Sequence, residues 1–242
     1  MANREPQRRL RGIVFRGAGA ELVELGREEG FPSCLQLVGD GLLVALDQRA
    51  EGAAELAREC VKALRERGWR GDQELAEELA AALGDGPTPM LRSLPVSLDE
   101  LAQVLEGDPV HGGGRIDLKT GEVWPQAALD DGLDDDLDDE DEDGDEDEDD
   151  PDRYLWVNSE GSRDGYQDMV LFIEGIDDER YADLLARAIA GRGAFRRFKD
   201  TLEERPELIS RWLDFSDDRH RGRARSWLAD AGYRPARGTS LQ

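Results

Sequence analysis

Apolar positions along this chain fall in short clusters separated by glycines, and the spacing inside each cluster predicts an element. Leu10–Phe15 and Cys34–Val38 are compact runs with the apolar and β-branched content of short strands. Gly39-Asp40-Gly41 then reads as a turn into Leu42–Leu46, which makes a hairpin. From Gln48 to Arg67 the spacing changes. Ala53, Leu56, Ala57, Cys60, Val61 and Leu64 lie three and four apart and line one face of a helix that Gly68 ends. Asp72 is placed to cap a second helix, Gln73–Leu83, and the glycine- and proline-rich stretch 84–89 is a linker. Residues 1–93 are therefore expected to form a small N-terminal α/β unit.

The pattern restarts near Pro95. Ser97 is an N-cap for a helix ending at Leu105, with Asp99 and Glu100 in its first turn. Arg115–Leu118 and Glu122–Trp124 flank Lys119-Thr120-Gly121 as a tight hairpin, and Tyr154–Val157 is a third strand. Helical spacing then takes over. Met169–Glu174 makes a turn or two, and Asp177 and Asp178 can cap a helix over 179–190 with Leu184, Leu185, Ala188 and Ile189 inward. A helix over 194–204 comes next, with Phe195, Phe198 and Leu202 on its core face. Pro206 opens another, carrying Leu208, Ile209, Trp212 and Leu213. A last helix over 217–231 turns Trp227 and Leu228 inward. The expected class is α+β: a short antiparallel sheet with a mainly helical C-terminal half, plus the N-terminal unit.

Charge changes this picture in one place. The chain carries 56 acidic and 31 basic residues, a formal net charge of −25. Between Asp130 and Asp150, 17 of 21 residues are acidic and none is basic. Such a run cannot bury enough apolar surface to offset its ordering entropy, so 130–152 is expected to be a disordered insertion. The rest of the chain holds 39 acidic and 31 basic residues, only −8. The expected organisation is 1–93, 94–129, the acidic insertion 130–152, 153–235 and a disordered tail, 236–242.

Several chemistries are excluded by what is missing. Two histidines, His111 and His220, and two cysteines without a C-x-x-C pair leave no zinc signature, and no cofactor is expected. Cys34 and Cys60 read as buried, reduced thiols. His111-Gly112-Gly113-Gly114 is similar to an oxyanion loop, but no serine stands in a G-x-S-x-G elbow. There is no P-loop, and Gly17-Ala18-Gly19 lacks the third small residue of a dinucleotide fingerprint. Met1–Arg16 lacks the apolar core of a secretory signal, and no window reaches the ~20 apolar residues of a membrane span, so a cytoplasmic protein without a membrane partner is expected.

One segment suggests binding chemistry. Gly191-Arg192-Gly193 opens the helix of Phe195 and Phe198, and the free N–H groups of a helix start favour anions. Arg192, Gly193, Arg196, Arg197 and Lys199 are the candidate anion site, in a C-terminal stretch (192–242) with 12 basic and 8 acidic residues.

This block also carries a resemblance. The strings GRGAFRRFKD, IDLKTGEVW and RYLWV, with the closing Trp212, Trp227-Leu228 and Gly232-Tyr233, resemble the bacterial uncharacterised protein family 0158 over about 95–235. The resemblance implies the order helix, "TGE" hairpin, strand and helical C-terminal half, and implies no activity, cofactor or catalytic residue. The acidic insertion and residues 1–93 depart from the family pattern.

The expected function is a non-enzymatic binding or regulatory protein that uses the helix start at Arg192–Lys199, with the acidic loop tuning or competing for it. Its partner would be a protein or a nucleic acid. Two alternatives stay open: a magnesium-dependent hydrolase or nuclease using Asp117, Glu122 and Asp168, and a structural interaction module.

Overall fold

The computed structural model describes residues 5–30, 34–108, 112–129 and 150–237. The acidic run at 130–149, His111 and the tail at 238–242 lie outside the described residues. The α+β class and the mainly helical C-terminal half are as expected. The N-terminal unit is not α/β: its described residues up to Leu83 form helices α1 (Glu5–Phe15), α2 (Gly19–Glu29), α3 (Leu35–Asp47), α4 (Ala53–Arg67) and α5 (Asp72–Leu83).

The predicted strands at Leu10–Phe15, Cys34–Val38 and Leu42–Leu46 are thus corrected to helix, and the physical reasons differ. In α1 the buried positions are Leu10 and Ile13, three apart, which is a helical spacing. In α3 the apolar run is continuous because the helix is buried around most of its girth, so no amphipathic period appears in the sequence. The expected Gly39-Asp40-Gly41 turn lies inside α3. A Cβ on Gly39 would stand 2.5 Å from Leu75 Cδ2, and one on Gly41 2.5 Å from Leu22 Cδ2. The two glycines let α5 and α2 approach α3 closely. Leu22, Val38, Leu42, Leu64, Leu75 and Leu79 form the centre of this first core.

The second core is built on strands. β1 (Arg92–Leu94) and α6 (Leu98–Leu105) lead into β2 (Gly114–Asp117), β3 (Val123–Pro125) and β4 (Tyr154–Val157). Ser97 caps α6 as expected, its side chain accepting from Glu100 N. The sheet order is β3-β2-β4, antiparallel throughout. Ile116, Val157, Leu101, Ala224 and Leu228 pack beneath it. The helical half comprises α7 (Arg163–Glu174), α8 (Glu179–Ala188), α9 (Ala194–Leu202) and α10 (Pro206–Asp230), followed by β5 (Tyr233–Pro235). A third core sits here, where Phe172, Phe198 and Trp212 meet edge to face.

The two helices expected over 206–231 are one helix of 25 residues. The polar stretch Asp217–Arg225 has the composition of a break, yet it carries buried ionic side chains, Asp218, Arg223 and Arg225. Phe195 and Leu184, expected inward, are exposed, while Phe198, Leu202, Leu185 and Ile189 fill the core. β5 pairs in parallel with β1, a ribbon the sequence does not announce, since each strand has only three residues. Ala236 N donates to Leu94 O at 2.7 Å, so pairing continues just past β5. Trp212 of α10 belongs to the third core and Ala224 and Leu228 to the second, while the helix also packs on α3 and α5 of the first. Among the described residues no helix is long and apolar enough to cross a membrane.

Candidate functional site

The arginines in the second half of α10, Arg219, Arg221, Arg223 and Arg225, are directed inward. Arg225, 1% exposed, donates to Gln36 Oε1 at 2.8 Å and to Asp40. Arg221 bonds Asp40 at 2.9 Å and Asp99 at 2.6 Å. Arg223 and Arg219 both hold Asp168, each at 2.7 Å, and Arg223 also reaches Glu106. Arg67 of α4 joins Asp72 to Asp218. Burial works against the Asp40 carboxylate, but Arg225 and Arg221 outweigh it and hold its pKa below the usual range. These arginines fix α10 among its neighbours, and their charge is spent on carboxylates of the same chain.

The five residues of the expected anion site do lie together at the start of α9, with Gly193 in the left-handed conformation. Arg197, however, is directed back onto the chain. Its guanidinium donates to the carbonyls of Ala188 (2.8 Å), Ala190 (2.7 Å) and Arg192, which satisfies the C-terminal end of α8. Arg196 stands 3.8 Å from Asp200 and is almost fully exposed, and Arg192 and Lys199 are exposed as well.

The three carboxylates weighed for metal chemistry are not brought to one point. Asp117 Oδ1 accepts from Lys119 N at 2.7 Å and Thr120 N at 3.2 Å, closing the hairpin turn. Its burial raises the pKa, but these backbone bonds and Arg153 more than offset that and hold the carboxyl low. Glu122 accepts from Thr120 Oγ1 at 3.4 Å, and Asp168 is held by two arginines. Among the described residues no group of three or more His, Cys, Asp or Glu could hold a metal ion. Ser216, His220 and Glu106 come close to a triad in composition. Yet Ser216 Oγ and Glu106 Oε1 both contact Nε2 of the imidazole, at 3.2 and 2.9 Å, whereas a nucleophile and an orienting acid need different ring nitrogens. Cys34 and Cys60 are buried thiols, and burial pushes each of them up to about 12, so neither is a nucleophile at neutral pH.

The outer face of the three-stranded sheet is different. The register pairs Arg115 of β2 with Trp124 of β3 on one side and with Trp156 of β4 on the other. Directly paired residues share a face, so the row Trp124–Arg115–Trp156 crosses the sheet. The two indoles are 42% and 44% exposed. Strand spacing puts them roughly 10 Å apart with the Arg115 stem between. Tyr154, two residues from Trp156, continues this face, and the Arg115 and Arg153 guanidiniums lie 4.3 and 5.0 Å from its ring. The opposite face carries Ile116, Val123 and Leu155 into the second core. Motif and charge patterns do not single out these tryptophans. Their signal is the period of two in Val123-Trp124 and Leu155-Trp156-Val157, which sets each Trp on the face away from the core.

A sequence model of the uncharacterised protein family UPF0158 matches residues 117–242. The match begins at the end of β2 and takes in β3, β4, the helical half and β5. The chain is also 28% identical over 152 residues to the UPF0158 protein PA5073 of Pseudomonas aeruginosa, an alignment covering 60% of this chain and 89% of that relative. No solved structure matches the chain. The hairpin–strand–helix order and the Gly191–Asp200 block therefore stand within a recognised sequence family, and the chain belongs to the uncharacterised protein family UPF0158.

Proposed function

We propose that this protein is a binding protein whose partner is single-stranded nucleic acid, engaged on the outer face of the β3-β2-β4 sheet. The observation that supports the reading is the row Trp124–Arg115–Trp156, two exposed indoles flanking a guanidinium on a flat face, with Tyr154 beside it. Every base has a π-face, so stacking on exposed aromatics tolerates sequence and contributes about 1–3 kcal/mol per base. A cation between two stacking surfaces is placed to meet the backbone or to stack in turn. The helix start of α9 is the weaker anion seat, because Arg197 is committed to carbonyls. The hydrolase reading loses its support for a similar reason: Asp168 is neutralised by Arg219 and Arg223.

The test is titration of the full chain with short homopolymeric DNA and RNA strands at low salt. Trp124→Ala and Trp156→Ala are each expected to weaken binding about 5–150-fold, the range that corresponds to one lost stack. Absence of saturable binding for every strand would overturn the reading. Capture of a protein through the same two tryptophans, with no strand bound, would replace it with a protein-interaction face.

A further inference from the structure

A cavity of about 540 Å³ opens where α1, α3, the start of α6, α10 and the residues after β5 meet. That is the size of a small-molecule site. It shares no residue with the row Trp124–Arg115–Trp156, so it is a separate site from the one proposed on the sheet. Part of the lining is apolar: Val14 and Phe15 of α1, Leu43 and Val44 of α3 and Leu98 of α6. The rest is largely ionic. The carboxylates of Asp40, Glu78, Asp99, Asp217 and Asp218 face the guanidiniums of Arg11, Arg221, Arg225 and Arg237.

Each of these guanidiniums has a close carboxylate. Arg11 pairs with Asp217, Arg221 with Asp40 and Asp99, Arg225 with Asp40, and Arg237 with Asp47 at 2.8 Å. Glu78 is the carboxylate left short. It is 3% exposed, yet its nearest cations are Arg225 Nη1 at 3.4 Å and Arg234 Nη1 at 4.0 Å. A charge-assisted hydrogen bond is made at about 2.7–2.9 Å. Arg225 turns its Nε to Gln36 and its Nη2 to Asp40, so only the distant Nη1 remains for Glu78. Burial accordingly raises the pKa of Glu78, with Arg225 offsetting only part of it.

We infer that this cavity binds an amphipathic organic cation, a primary amine or guanidine on an apolar body, with its head on Glu78 and its body along the Phe15–Leu43 wall. An ammonium brings the short donors that Glu78 lacks. An anion would meet guanidiniums already neutralised by carboxylates. A neutral apolar molecule would offer Glu78 no donor.

The experiment is calorimetric titration of the full chain with butylamine, hexylamine and octylamine, against the matching alcohols and alkyl sulfates. Amines are expected to bind in preference to both controls, with affinity rising about fourfold per methylene. Glu78→Gln should weaken hexylamine at least about tenfold. Phe15→Ser, a change at an exposed wall residue, should flatten the dependence on chain length. Equal affinity for hexylamine and hexanol, unchanged binding by Glu78→Gln, or no binding of any amine would overturn the proposal. The amine-over-alcohol preference is read on the unaltered chain, so it decides the matter even if Glu78→Gln fails to fold.

Discussion

Gln36 on α3 accepts a hydrogen bond from Arg225 Nε on α10 at 2.8 Å, and both side chains are buried. The same residue extends the link in two more directions. Its Nε2 donates to Asp72 Oδ1 at 2.9 Å, and its backbone N donates to Asp218 Oδ1 at 2.7 Å. One glutamine thus joins an arginine and two carboxylates, and with them α3, α5 and α10. This is how a helix rich in arginine is held beside the N-terminal helices with its buried arginines paired.

Removing Arg225 should therefore be costly. Arg225→Ala leaves Asp40 with one guanidinium and Glu78 with only the distant Arg234. Breaking a buried ionic contact in this way costs about 3–5 kcal/mol. Arg196→Ala, at an exposed position 3.8 Å from Asp200, should change stability by less than about 0.5 kcal/mol. Urea melts of the two variants check the contrast. A loss below about 1 kcal/mol for Arg225→Ala would show that the network is not what holds α10.

Gly39 gives a second contrast. In a turn between strands, alanine would be costly only if φ were positive. In a helix, alanine ordinarily gains about 1 kcal/mol over glycine. Here the added Cβ would lie 2.5 Å from Leu75 Cδ2, so Gly39→Ala is expected to destabilise by about 1–3 kcal/mol through overpacking. Leu75→Ala in the same chain should bring the two effects below their sum, because the smaller side chain makes room for the methyl group. Strict additivity in thermal melts of the double variant would count against the close α3–α5 approach.

That glycine also shows where sequence reading stops. The amphipathic helix α4 is legible because one face is wet, so apolar positions recur every three or four residues. α3 has no such face. Its run Leu35–Asp47 is nearly continuous, and a glycine pair inside it has the chemistry of a turn until Leu22 and Leu75 are seen to need the space. The hairpin around Gly121 and the cap at Ser97 are legible because a local rule fixes each of them. α10 misleads in the opposite way. Asp217–Arg225 looks solvated, but its partners lie as far off as Gln36, Asp40 and Glu106, which no local window contains. For the candidate site, Trp124 and Trp156 are visible as residues, but their meeting across Arg115 depends on strand register, which joins segments on either side of the acidic run.

Asp214 carries a pH prediction. Burial, reinforced by Asp217 and Asp218 and opposed by Arg11, raises its pKa from 3.8 to about 6. A carboxyl with a raised folded pKa is easier to protonate folded than unfolded. Its ionisation therefore weakens the fold above about pH 6, and the penalty is relieved as pH falls from about 6 towards 4. Asp214→Asn removes the penalty at all pH values. The variant should be more stable than the parent at pH 7, by about 1 kcal/mol at most after solvent screening, with the difference shrinking towards pH 4. Parallel denaturation at pH 7, 5.5 and 4 checks this. A difference that is constant or grows on acidification would contradict the sign.

The acidic run supplies the last prediction, and it rests on charge and chain order alone. Residues 130–149 lie in sequence between β3 and β4, the two strands that carry the tryptophans. Removing their 16 carboxylates takes the formal charge from −25 to −9. If the partner is a polyanion, that tethered charge repels it and competes for Arg115 and Arg153. The deletion should then tighten strand binding about tenfold or more at 50 mM salt. The advantage should fade as salt rises, since exposed charges are screened beyond about 10 Å at 0.1 M and about 3 Å at 1 M. In the deleted chain Trp124→Ala and Trp156→Ala should still weaken binding, because stacking does not depend on the run. A deletion that leaves affinity unchanged at every salt concentration would reduce the segment to a solubilising one. A deletion that tightens binding while the tryptophan variants have no effect would move the contact away from the sheet and back to the exposed cations at the start of α9.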